Sequence, residues 1–122
     1  MTAPETTRTF YRIVTATPPV LQDFFSDRER GKPRRGTGPD IDFMWNGFSV
    51  FETEDQARAQ AARFPKIGDY IARLEIPDEA SLQVRRTGST DGHHTIQGAA
   101  EVVCQYVVHV APVRPADQSG GE

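Results

Sequence analysis

Short stretches in which apolar and polar residues alternate, separated by proline and glycine, constrain the fold of this chain more than any other feature. Successive side chains of a β-strand point to opposite faces of a sheet, so this period predicts strands. The pattern predicts strands at residues 9–15, 48–52, 70–76 and 82–86, and a short one at 94–96. The run at residues 102–113 is rich in β-branched residues and predicts a long central strand, buried on both faces.

One segment carries a clear helix signal. Thr53-Glu54-Asp55-Gln56 is a capping box, in which the Thr53 hydroxyl accepts from the amide of Gln56 and the Gln56 side chain reaches back. Ala57, Ala61 and Phe64 follow at helical spacing and are expected to form the buried face. The main helix is therefore predicted to begin at this capping box.

The order of these elements predicts an α+β fold. A short helix is expected at residues 20–25 and a long loop at residues 26–42, so a mostly antiparallel sheet would be joined by one main helix and one short helix. The length of 122 residues suits a single domain with one core. We expect this domain to span residues 8–114, between disordered polar tails at residues 1–7 and 115–122.

Composition excludes several classes of protein. A mean hydropathy of -0.54, with no apolar run near the roughly 20 residues of a spanning helix, argues against a membrane protein. The first residues lack a secretory signal, so a cytoplasmic location is expected. The single cysteine, Cys104, excludes an internal disulfide and is predicted to be a buried apolar residue. A formal net charge of -3 disfavours nucleic acid as a partner.

An arginine in the first predicted strand is the most informative charged residue. Burying a guanidinium within an apolar strand costs free energy of folding unless the group is paired or faces a cleft. One interpretation is that alternation points Arg12 to solvent while Tyr11 and Ile13 face the core. The other is that Arg12 lies at the base of a cleft and binds a phosphate or carboxylate with its planar fork.

A small hydroxyl follows a glycine at the second predicted strand. Gly47 would allow a ligand to approach the backbone near Ser49, and Trp45 would form a wall of the cleft or a platform on which a ligand ring stacks. Alternatively, Ser49 faces solvent, Gly47 completes an Asn-Gly turn and Trp45 belongs to the core.

Two adjacent histidines and a late glutamate complete the candidate residues. Neighbours on a strand point to opposite faces, so His93 and His94 cannot easily share a metal ion, and no metal site is predicted. Imidazole titrates near neutrality, so His94 can act as an acid, a base or a hydrogen-bond donor, or make a structural hydrogen bond. Glu101 is the best-placed late carboxylate or, alternatively, a solvated charge at the start of the last strand.

A basic run lies within the predicted loop. Five cations fall within eight positions, at Arg28, Arg30, Lys32, Arg34 and Arg35. Such a run is usually a solvated loop. Folded over a cleft it would bind a phosphate-bearing ligand, and exposed it would engage a partner protein.

Several segments together resemble a group of small uncharacterised bacterial proteins. The likeness covers about residues 9–113 and is carried by Phe10-Tyr11-Arg12, Asp23-Phe24-Phe25-Ser26, Trp45-Asn46-Gly47-Phe48-Ser49-Val50-Phe51, Gln56-Ala57-Arg58, Gly68-Asp69-Tyr70-Ile71-Ala72 and Gly92-His93-His94-Thr95. More remotely, an arginine on the first strand, a serine on the second, a helix after it and a late acidic residue are similar to the layout of ADP-ribosyltransferase-like domains, including the compact RES-type toxins. The Gln-x-Glu or Glu-x-Glu pair of that family is missing near the last predicted strands.

The resemblance implies a nucleotide-binding domain that acts as an ADP-ribosyltransferase or NAD glycohydrolase, with NAD as substrate. Arg12 would hold the pyrophosphate, Ser49 would position the nicotinamide ribose and Glu101 would stabilise the charge that develops as nicotinamide leaves. His94 would be an alternative polar contact, and Tyr11, Gly47 and Trp45 would join Arg12 and Ser49 in binding the cofactor. The alternative is a non-catalytic binding or regulatory module that engages a partner protein through residues 28–35.

Overall fold

One antiparallel sheet is the framework of the protein. The computed structural model describes residues 7–78, 80–88 and 90–113. This part of the chain contains six strands, β1 (Thr7–Val14), β2 (Phe48–Phe51), β3 (Tyr70–Pro77), β4 (Gln83–Arg86), β5 (His93–Gln97) and β6 (Val107–Pro112). It also contains three α-helices, α1 (Pro39–Trp45), α2 (Glu54–Arg63) and α3 (Ala100–Cys104), and a short 3-10 helix at Leu21–Phe24.

The strand order is β4-β5-β2-β1-β3-β6, and every pairing is antiparallel. β1 and β3 pair along all 8 residues of each strand. β1 and β2, by contrast, are paired at a single position, with Tyr11 opposite Phe51. The prediction of an α+β fold with a mostly antiparallel sheet is confirmed.

Both faces of the sheet are covered by helices. On one face, Val14 belongs to a core that also contains Phe24 of the 3-10 helix and Val103 of α3. On the opposite face, Ile13 packs with Ala57 of α2. From Thr9 to Val14 the residues of β1 are therefore buried or partly buried, whereas Thr7 and Arg8 at its start are exposed.

The capping box starts α2 as predicted. The Thr53 hydroxyl accepts from the amide of Gln56 at 3.1 Å, and the Gln56 side-chain oxygen accepts from the amide of Thr53 at 3.1 Å. Ala57 and Ala61 are buried. Phe64, however, lies just past the helix and is 46% exposed, so its predicted place on the buried face is wrong.

The loop predicted at residues 26–42 is shorter than expected, because α1 occupies its end. Pro39 stands in the first turn, where its missing amide hydrogen costs nothing. Asp40 and Asp42 place negative charge at the positive end of the helix dipole.

The long central strand predicted at residues 102–113 is wrong. The segment divides into the end of α3 and the edge strand β6, whose Val108 is 57% exposed. Val103 is fully buried against the core, and this tertiary packing outweighs the strand preference of its β-branched side chain. Glu101 and Cys104 therefore lie on a helix, and Cys104 is partly buried rather than buried.

The short helix predicted at residues 20–25 is confirmed as the 3-10 helix, but Phe24 is buried whereas Leu21 is 37% exposed, so these two side chains do not share a buried face. The predicted tails, residues 1–7 and 115–122, lie outside the described residues except for Thr7, which begins β1.

Among the described helices, none has the length and apolar character needed to cross a bilayer.

Candidate functional site

A cavity of about 480 Å³ lies between α1 and α2, on the sheet face that carries Ile13. Residues of three strands, Ile13, Ser49, Phe51 and His93, contribute to it. The loop before α1 supplies part of its wall. The other uncharged lining residues are Phe25, Pro33, Ile41, Met44, Trp45, Gly47, Phe48, Gln60, Phe64 and Ile67.

The cavity has a strongly basic lining. Four of its charged lining residues are cations and one is a carboxylate, at Arg12, Arg30, Lys32, Arg35 and Asp27. Cations that face one confined space repel one another and attract a counter-ion. The cavity therefore favours an anionic occupant, although the whole chain is acidic.

The basic loop is held over the cavity by contacts with the rest of the fold. Arg30 Nη2 donates to the carbonyl of Gln22 at 2.8 Å, and Trp45 Nε1 donates to the carbonyl of Lys32 at 2.7 Å. The guanidinium of Arg28 lies 5.4 Å from the centroid of the Trp45 ring. The two hydrogen bonds tie the loop to the 3-10 helix through Gln22 and to α1 through Trp45, so they fix the path of the loop.

Arg12 joins two segments at the cavity. Its Nε donates to the carbonyl of Asp23 at 2.6 Å and its Nη1 donates to the carbonyl of Ser49 at 2.7 Å. Its guanidinium also lies 4.9 Å from the centroid of the Phe48 ring. Arg12 thus occupies the region where β1 and β2 are no longer paired. Its position excludes the interpretation that it simply faces bulk solvent.

Holding the charged guanidinium of Arg12 in its partly buried position costs free energy. Burial, followed by the nearby cation of Arg30, lowers the pKa of Arg12 to about 10, against the opposing effect of Asp23 and Asp27. The guanidinium remains protonated at neutral pH. An anion bound beside it would favour the charged form and offset part of this cost.

Asp23 fixes the segment that Arg12 contacts. Its carboxylate is buried and accepts from the amide and hydroxyl of Thr15, at 3.0 and 2.9 Å, and from the amide of Val20 at 3.1 Å. These bonds hold the 3-10 helix against the end of β1. The carbonyl of Asp23 is therefore presented to Arg12 by a rigid turn.

Ser49 and His93 form a hydrogen-bonded pair in the cavity. The Ser49 hydroxyl lies 2.9 Å from His93 Nε2, and the other ring nitrogen, Nδ1, lies 2.9 Å from the carbonyl of Thr87. The Thr87 hydroxyl is 2.7 Å from that of Thr95. Ser49 is exposed, whereas His93 is 8% exposed, and burial is the main cause that lowers its pKa.

Gly47 is required at the base of the cavity by close packing. A β-carbon at this position would lie 2.5 Å from Cγ2 of Thr95 and 2.6 Å from the carbonyl oxygen of Ile96. A larger residue would push β2 away from β5 and disturb the Ser49 region.

Apolar side chains also line the cavity. Phe64 and Ile67 are 46% and 43% exposed although they are large and apolar. Met44 and Trp45 of α1 also line it. The cavity therefore offers both cations and apolar surface to one ligand.

Four of the residues predicted for the site lie together. Arg12, Ser49, Gly47 and Trp45 all line the cavity. The hydrogen bond from Arg12 to the carbonyl of Ser49 places these two residues side by side.

The other three predicted residues do not line the cavity. Tyr11 packs against the core around Ile13. His94 is buried on the opposite face, with its ring centroid 5.1 Å from that of Phe10 and its Nε2 3.6 Å from the carboxylate of Glu52. Glu101 is exposed on α3.

The sequence prediction missed His93, whereas the basic run was predicted to bind a ligand if it folded over a cleft, and its residues Arg30, Lys32 and Arg35 line the cavity. Strand alternation correctly separates His93 from His94. It does not reveal which of them shares a face with Ser49, because this depends on the register of β5 against β2, in which Ser49 lies opposite Thr95.

Within residues 7–78, 80–88 and 90–113, no group of three or more His, Cys, Asp or Glu side chains is arranged to hold a metal ion.

Comparisons of the chain with protein-family models, with curated proteins and with solved structures found no match. The charge and shape of the cavity are therefore the basis for a functional proposal.

Proposed function

We propose that the cavity binds a phosphate-bearing nucleotide, and that the nucleotide is NAD or its ADP-ribose part. The observation that carries this proposal is that Arg12, a partly buried cation, lines the cavity together with three cations of the loop. An ADP-ribosyltransferase-like architecture belongs to the same proposal. It is supported by the proximity of an arginine on β1 to a serine on β2.

The pyrophosphate would bind at the charged side of the cavity. Arg12 uses two of its nitrogens for backbone carbonyls, and its remaining N–H groups make no hydrogen bond with the described residues. Those groups would donate to phosphate oxygens, with Arg30 and Arg35 adding charge. Hydrogen bonds between a guanidinium and a phosphate are strong because both partners are ionised.

The uncharged parts of the nucleotide would bind to the rest of the lining. The Ser49 hydroxyl faces the cavity and would contact a ribose hydroxyl. Trp45 provides aromatic surface for a base or a nicotinamide ring.

NAD cleavage requires a group that stabilises the positive charge of the departing sugar. Glu101 does not line the cavity, and Asp27 is the carboxylate that does. Binding is therefore the core of the proposal, and nicotinamide release is a separate measurement that the resemblance motivates.

The alternative, capture of a partner protein by residues 28–35, has less support. Arg28 stacks on Trp45, Arg30 donates to the carbonyl of Gln22, and Arg34 pairs with Asp42. Side chains already engaged within the fold are poor candidates for an outward-facing docking surface.

Fluorescence of Trp45, the single tryptophan of the chain, offers a direct binding test. Titration with ADP-ribose and with NAD should give a saturable change, whereas adenosine should bind at least about tenfold more weakly because it lacks phosphate. Affinity should fall as salt is added. Equal affinity for adenosine and ADP-ribose, or no saturable change with either, would overturn the proposal.

A matched pair of arginine variants sharpens this test. Arg35→Gln removes an exposed cation of the cavity, and Arg86→Gln removes an exposed cation of β4 that does not line it. We expect Arg35→Gln to weaken ADP-ribose binding about fivefold, equivalent to roughly 1 kcal/mol, with no effect of Arg86→Gln. Free nicotinamide is measured in the same samples, with Arg12→Ala as the control for turnover.

A further inference from the structure

We infer that Ser49 and His93 form a nucleophile–base pair that accepts an acyl group from an activated ester bound in the cavity. This activity uses the same cavity as the proposed nucleotide site but does not depend on nucleotide binding. It rests on three features of the pair, which are its proton arrangement, its contrast in burial and its surroundings.

The hydrogen bonds fix the proton arrangement of His93. Nδ1 lies 2.9 Å from the carbonyl of Thr87 and 3.1 Å from its hydroxyl; because the carbonyl can only accept, we assign the proton to Nδ1, which leaves the hydroxyl to accept from it and to donate to Thr95. In the neutral ring Nε2 is then unprotonated. It accepts from the Ser49 hydroxyl at 2.9 Å, which is the arrangement needed to remove the proton of a serine nucleophile.

Burial separates the roles of the two side chains. The Ser49 side chain is exposed at the cavity, where a substrate can reach it, whereas His93 is nearly buried beneath it. The imidazole packs against the Phe51 ring in a T-shaped arrangement, at 5.5 Å between centroids, and contacts Thr87. Burial lowers the pKa of His93, so the ring is neutral and able to accept a proton at pH 7.

The reaction balances with an ester and water as its reactants. Ser49 Oγ attacks the carbonyl carbon of the ester, and its proton passes to His93 Nε2 as the new O–C bond forms. The bond to the leaving group then breaks, and the leaving group takes the proton from Nε2. Water attacks the acyl-serine by the same route, releasing a carboxylic acid and restoring the hydroxyl.

The surroundings suit a substrate with two unlike ends. Phe64 and Ile67 expose apolar surface to the cavity and would contact the acyl chain. Arg12 donates to the carbonyl of Ser49, so a guanidinium lies beside the nucleophile and would stabilise the negative oxygen of the tetrahedral intermediate. The charged lining favours an anionic leaving group, so the substrate class is an acyl ester of a phosphate-bearing alcohol or an acyl phosphate.

The experiment uses a fluorophosphonate probe, which forms a covalent bond with an activated serine and carries no nucleotide. The full chain is treated with the probe, and the modified residue is located by mass spectrometry. We expect the adduct on Ser49, its loss in Ser49→Ala, and no change in Ser81→Ala, which removes an exposed serine elsewhere. Failure to modify Ser49, or an adduct that persists at another residue in Ser49→Ala, would overturn the inference.

A second variant separates base catalysis from mere exposure. Ser49→Cys places a thiol beside His93, and its reaction with iodoacetamide should exceed that of Ser81→Cys by about tenfold or more, because the imidazole promotes the thiolate. Equal rates would contradict the inference. Circular dichroism verifies that each variant is folded. A positive probe result without ADP-ribose binding would remove the nucleotide proposal alone, and the reverse would remove the acyl-transfer inference alone.

Discussion

Replacement of Arg12 by methionine tests whether this residue supports the fold as well as the cavity. Methionine has a similar length and no charge, so the change removes the hydrogen bonds to the carbonyls of Asp23 and Ser49 while keeping much of the volume. If Arg12 served only to bind a ligand and made no stabilising contact within the fold, its replacement would remove a partly buried charge and stabilise the protein. The contacts predict the opposite.

The magnitude follows from two opposing effects. Hydrogen bonds from a charged donor contribute roughly 1.5–3 kcal/mol each, so two of them contribute roughly 3–6 kcal/mol. The lowering of the pKa of Arg12 to about 10 corresponds to a cost of roughly 3 kcal/mol for the charged form. The net loss on replacement is therefore about 1.5 kcal/mol, or about 5–10 °C in Tm for a domain of this size.

Thermal unfolding followed by circular dichroism measures this loss. Arg8→Met is the matched control, because Arg8 lies on the same strand and stacks over Phe10 at 5.0 Å but does not line the cavity. The Tm of Arg8→Met should fall by about a third of the decrease expected for Arg12→Met, or by less. An Arg12→Met protein as stable as the wild type, or no less stable than Arg8→Met, would refute the reasoning.

Three further perturbations have defined outcomes. Gly47→Ala should cost about 1–3 kcal/mol in urea unfolding, because the added β-carbon would meet Thr95, and an unchanged midpoint would contradict the packing. Phe24→Ala should cost about 3–5 kcal/mol and Leu21→Ala under about 1 kcal/mol, since only Phe24 is buried, and equal losses would contradict the placement of the 3-10 helix. Because the pKa of His93 is lowered in the folded state, its contribution to stability is complete above the unfolded pKa of about 6.5 and is lost as pH falls below it. Urea midpoints at pH 8 and pH 5 should therefore differ less in His93→Gln than in the wild type, and an identical difference would contradict the burial of this ring.

Local signals in the sequence were sufficient for the elements whose stability is local. The capping box at Thr53 and the alternation of residues 70–76 depend on neighbours in the chain, and both predictions are confirmed. α1 was missed although Pro39 and the acidic residues after it are helix-start signals, because the preceding basic run suggested a continuous loop. This helix could have been found from sequence.

The division of residues 102–113 into α3 and β6 could not be predicted in the same way. Val102 and Val103 favour a strand locally, and the helix start at Ala99 has no side-chain cap. The helix exists because Val103 is buried against the core around the 3-10 helix, which is a long-range contact. Tertiary packing of this kind leaves no periodic signature in so short a segment.

The sequence predicts the site residues that are unusual in their own segments, but not the residue whose position depends on the register between β5 and β2. Arg12 and Ser49 stood out as a charge within an apolar strand and a hydroxyl after a glycine, and they line one cavity. His93, and not His94, lies in the cavity because the pairing of β5 with β2 places His93 on the same face as Ser49. Glu101 lies on a helix that the sequence pattern concealed.

A crystal structure of the protein with ADP-ribose would test the proposed nucleotide site most directly. We expect the pyrophosphate to lie between α1 and α2, with a phosphate oxygen at hydrogen-bonding distance, about 2.7–3.2 Å, from a nitrogen of Arg12. Ligand bound elsewhere on the protein, or a pyrophosphate in the cavity that makes no contact with Arg12, would contradict it.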